Sequence, residues 1–143
     1  MRKTIEIVTK KFITDVILAA IISVILNVIV LAIFRPIAQA PQTFSPFWYS
    51  PVIEFTFLGV LAAGFVYVAI QRLFSHNFKK IFIWVAVIAL ILSFIPDIML
   101  PYSTDYDNQG ATAFIVIILI LMHTLTAGIV LWMFNKKSSF KIN

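Results

Sequence analysis

Residues 12–34 read FITDVILAAIISVILNVIVLAIF, an apolar run interrupted by few polar side chains, among them Asp15, Ser23 and Asn27. At 1.5 Å per residue such a helix covers about 30 Å or more, the thickness of a hydrocarbon core. Three further stretches of the same kind follow, over about 52–71, 81–100 and 111–134. Open sheets would leave backbone groups unsatisfied in lipid, so all four spans are expected to be helices. The connections are short, which makes consecutive helices antiparallel neighbours. The expected fold is all-α: one integral membrane four-helix bundle over residues 1–143, up-down-up-down.

Charge sets the expected orientation. Of the 11 Lys and Arg residues, all but Arg35 fall at one end of the spans: Arg2, Lys3, Lys10 and Lys11, then Arg72, Lys79 and Lys80, then Lys136, Lys137 and Lys141. Short loops rich in Lys and Arg stay cytoplasmic, so both termini are expected inside. Arg35 shares the outer side with Asp105 and Asp107. With 62% hydrophobic and 12% charged residues, little chain remains for a soluble domain, so function belongs to the bundle or its loops. The net charge of +5 is confined to the membrane flanks, where it attracts anionic headgroups and does not form a nucleic-acid face. Cysteine is absent, which excludes thiol–disulfide chemistry and iron–sulfur ligation. Ala38-Gln39-Ala40 resembles a signal-peptide cleavage site, yet the preceding apolar core is too long and Pro41 would follow the cut, so the first stretch is read as a retained helix.

The loop after the first span carries Pro36, Pro41, Pro46 and Pro51, with Phe44, Phe47, Trp48 and Tyr49 between them. Two readings stand: an irregular segment lying on the outer interface, or a lid over a space between helices. Trp84 and Trp132 are expected at the inner interface. No internal repeat supports an inverted-repeat transporter.

Ionisable and amide side chains inside spans are costly, and each calls for an explanation. Asp15, one turn after Lys11, suits an i,i+4 pair near a helix start. Arg35, Glu54 and Asp97 fall near the outer ends of three spans. They could join as an ion-paired cluster that pins helix ends, or form the polar wall of an outward-facing site. Asn27 lies about 10 Å below the outer ends and His123 about 18 Å, near the midplane. Asn27 follows Ala20 and Ser23 on a small-and-polar stripe suited to helix packing, and Gly59 with Ala63 forms a second small surface. His123 shares a helix face with Thr112, Val116, Leu119 and Ala127, and must face the bundle or another subunit. It reads as an internally bonded residue or as a ligand- or proton-handling one. Metal or haem ligation would require a second copy, since the other histidine, His76, is in an inner loop. The depth count also argues against a direct Asp97–His123 pair, because the two lie about 13 Å apart along the membrane normal.

Ser93-Phe94-Ile95-Pro96-Asp97 in the third span and Leu121-Met122-His123 in the fourth carry a resemblance to an uncharacterised family of small bacterial four-helix membrane proteins. The resemblance implies a prokaryotic plasma-membrane protein and supplies no activity. The candidate ligand-binding residues are therefore Asn27, Arg35, Glu54, Asp97 and His123, with no catalytic residue, metal ligand or cofactor assigned. The expected role is binding of a lipid, small amphiphile or partner subunit through an outward polar cluster. Membrane lipids are the expected partners, with a homo-oligomer or larger membrane complex possible and no nucleic acid. The alternatives are an acid/base enzyme on a lipid-soluble substrate and a structural accessory subunit.

Overall fold

A computed structural model describes residues 2–74 and 76–136, with the backbone course alone for 2–9 and 136. Lys137 and Lys141, two of the cations used to orient the chain, lie outside the described residues. Four helices account for nearly all of it: α1 (Arg2–Ala38), α2 (Tyr49–Leu73), α3 (Phe78–Met99) and α4 (Ala113–Lys136). Each is long and apolar enough to cross a membrane. α1 packs on α2 and α4, and α3 packs on the same two, so α1 and α3 occupy opposite corners of a square. Chain direction alternates around that square. Both ends of the described chain therefore emerge at one face, the terminal end, and residues 39–48 and 100–112 connect helices at the far end.

The helix boundaries follow from local chemistry. α1 continues through Arg35 and Pro36, because a proline in the last exposed turn removes only one ladder donor. It stops at Gln39, whose φ of 48° is the left-handed turn that closes many helices. Pro51 sits in the first turn of α2, where no intrahelical N–H is needed. α3 runs through Pro96 and tightens into a 3-10 turn at Leu100–Tyr102. Thr112 caps α4: its Oγ1 accepts the Ile115 N–H at 3.3 Å.

The interior has two apolar clusters. Toward the terminal end, Tyr67 is ringed by Phe12, Phe78, Phe82 and Phe134 with centroids 5.0–5.7 Å away. Ala19, Ala20 and Val60 are fully buried beside them. Gly64 lets α1 approach closely, since a Cβ there would lie 3.1 Å from the Val16 methyls. Trp84 and Trp132 are exposed toward this end.

At the far end Leu31, Val52, Ile115, Ile118, Leu119 and Met122 enclose Phe44 and Phe47 from the connecting loop. The loop therefore does more than lie on an interface. Phe44 and Phe47 turn inward and are fully buried, in edge-to-face contact at 5.5 Å, while Trp48 and Tyr49 stay exposed. Burying two phenylalanines outweighs the missing ladder bonds of a proline-rich segment, at about 2 kcal/mol of transfer free energy each from water. Gly110, with φ of 93°, lies against Pro41, which ties the two far-end connections together.

Candidate functional site

Between the apolar clusters lies a polar layer. Asn27 of α1 donates from Nδ2 to Thr56 Oγ1 of α2 and to Thr126 Oγ1 of α4, each at 3.0 Å. Thr126 passes its own hydroxyl proton to the Met122 carbonyl at 3.0 Å, which leaves its lone pairs for Asn27. One amide thus joins three helices. Asn27 is 3% exposed, and its Oδ1 has no partner; nor does Ser23 Oγ, one turn earlier on the same helix and fully buried.

Next to this layer, α3 and α4 bring a second polar feature together. Asp97 is buried near the end of α3, and its Oδ2 stands 3.4 Å from His123 Nδ1. The same nitrogen is 2.9 Å from the Leu119 carbonyl one turn back on α4. A carbonyl can only accept, so Nδ1 carries the hydrogen of that bond. Asp97 Oδ2 has no hydrogen-bond partner, and its contact with His123 is one of ion-pair distance. The carboxylate side chain is 10% exposed and the imidazole 40%, so the pair has one sealed member and one open member.

This contact corrects the depth argument, which set Asp97 and His123 too far apart to meet. That argument assumed that α3 and α4 end at one level. Asp97 is two residues from the end of α3, and His123 is ten residues into α4. Their contact therefore requires the far end of α3 to lie well below the start of α4, by about 12 Å less what the two side chains span as they lean toward each other along antiparallel helices. The segment 100–112, with 3-10 turns at Leu100–Tyr102 and Tyr106–Asn108, makes up the difference.

The other expected members stand apart. Glu54 is exposed and accepts the Ser50 hydroxyl of its own helix. Arg35 is half-buried with its guanidinium 5.9 Å from the centre of the Tyr49 ring, a cation–π contact. Among the described residues Arg35, Glu54 and Asp97 make no ion pair with one another. Of the five candidates, Asp97 and His123 meet directly, Asn27 lies in the adjoining polar layer, and Arg35 and Glu54 are on the rim. Thr56 and Thr126 were missed from the sequence. Depth could not have found them: counted along α4, Thr126 lies three residues deeper than His123, far below the level assigned to Asn27, and only the folded chain brings the two together. No three His, Cys, Asp or Glu side chains gather as a metal site among the described residues.

Four spanning helices around a buried polar layer define a small multi-pass membrane protein. Within that class, residues 8–139 match the model of a family of unknown function (DUF6069), and the chain belongs to that family. The resemblance read from the third and fourth spans is thus to a family that covers nearly the whole chain. No curated protein and no solved structure matches it.

Proposed function

We propose that this protein resides in a prokaryotic plasma membrane with both termini cytoplasmic, and that Asp97 and His123 hold the polar group of a lipid-soluble amphiphile. The orientation is supported by the confinement of all basic residues but Arg35 to the terminal end. The site is supported by one observation above all: an imidazole 40% exposed within a spanning segment, backed by a carboxylate that is 10% exposed. A polar ring facing hydrocarbon is unfavourable unless something polar meets it there. The exposed surface of α3 and α4 is otherwise apolar, with Ile91, Ile95, Ile98, Ile117 and Leu121 on it, which suits the apolar body of such a molecule.

Native mass spectrometry with lipid identification tests this on protein extracted gently from membranes. Wild type should carry a defined molecule that Asp97→Asn and His123→Ala both lose. Bare protein in all three would leave the pair as a contact between helices and shift the reading to an accessory subunit.

A second reading draws on the same contact. Acid/base catalysis needs a group within hydrogen-bond reach of the reacting atom, and His123, the open member of the pair backed by Asp97, is the candidate. In that case the molecule recovered from His123→Ala would differ chemically from the one released by wild type.

A further inference from the structure

The polar contacts of His123 restrict what can occupy the site. Two acceptors converge on Nδ1, the Leu119 carbonyl at 2.9 Å and Asp97 Oδ2 at 3.4 Å. Both favour a hydrogen on that nitrogen, and an imidazole with a single hydrogen places it there. The opposite nitrogen, Nε2, then presents a lone pair. No hydrogen bond reaches Nε2 among the described residues, and it is not one of the sealed polar atoms, so the open edge of the ring is an acceptor.

We infer that the group bound at His123 is a hydroxyl, which donates its hydrogen to Nε2 from a molecule dissolved in the bilayer. The inference rests on the reading of Asp97 and His123 as a ligand site and names the class of ligand: a membrane-soluble alcohol, not an ester, ether or ketone. Carbonyl and ether oxygens have no hydrogen to give and would face the Nε2 lone pair with lone pairs of their own. The nearest hydroxyl of the chain that is also exposed on α4, Thr124, is committed to the Ile120 carbonyl at 2.8 Å. It therefore does not supply the missing donor.

The test uses the full chain in nanodiscs, with nitrogen-labelled histidine and with His76→Gln to leave one imidazole. His76 lies in the exposed turn between α2 and α3, away from the site. The nitrogen spectrum should show a neutral ring protonated at Nδ1. Dodecanol should then move the Nε2 resonance, and dodecyl methyl ether should need about tenfold more to do so, the ratio expected for one hydrogen bond. A ring protonated at Nε2, or an ether as effective as the alcohol, overturns the hydroxyl inference while leaving a ligand site in place. If neither probe moves the resonance, the site reading fails and takes the inference with it. A lipid-free protein that runs as a dimer with Nε2 already bonded would identify a second copy as the occupant, which also overturns it.

Discussion

Asn27 illustrates how a polar residue can specify a membrane fold without adding much to its stability. Its two bonds to Thr56 and Thr126 are each worth about 0.6 kcal/mol in lipid. Its unpartnered Oδ1 costs about 1–3 kcal/mol. The balance is near zero or unfavourable, so the layer is better understood as fixing the alignment of α1, α2 and α4. Asn27→Ala should destabilise the bundle by about 1–2 kcal/mol, because it removes both cross-helix bonds and leaves a hole. The triple change Asn27→Leu, Thr56→Val, Thr126→Val should lie within about 1 kcal/mol of wild type, since it removes every partner together. Reversible unfolding in detergent measures both, and a triple variant as weak as Asn27→Ala would show that the layer itself holds the fold. Asn27 was legible in the sequence because amides within spans are rare. Its partners were not, since threonines satisfy themselves within a helix and carry no mark of a second bond.

At the scale of elements, the far-end connections matter as much as the helices. Gly110 holds φ at 93°, and a Cβ there would lie 2.7 Å from Pro41 Cγ. Gly110→Ala should cost about 2 kcal/mol or more, through the backbone conformation and the clash together. Gly128→Ala, where a Cβ would meet nothing within 4 Å, should be neutral or slightly stabilising, and thermal melts of the pair compare the two directly. Thr112→Ala should cost about 1 kcal/mol by removing the cap of α4. Number, length and order of the spans were readable beforehand because hydrocarbon allows few alternatives to a helix about 20 residues long. The stagger of α3 against α4 was not. It is set by how far residues 100–112 climb, and apolar periodicity carries no information about a loop's rise. That one unknown separated Asp97 from His123 on paper when the folded chain brings them together.

For the whole molecule, the absence of cysteine from the sequence makes orientation directly measurable. Thr104→Cys lies in the exposed far-end connection and His76→Cys in the exposed turn between α2 and α3. On intact cells a membrane-impermeant maleimide should label Thr104→Cys at once, and His76→Cys only after permeabilisation. The reverse pattern would invert the proposed topology. The same architecture gives α3 an unusual mechanical position. Only Phe82 and Asp97 along its length are buried, one near each end. Between these two rivets the helix meets its neighbours through half-buried side chains alone, among them Ala86, Val87, Leu90 and Phe94. It is therefore the helix with the fewest sealed side chains of the four, pinned by one ring toward one end and one carboxylate toward the other.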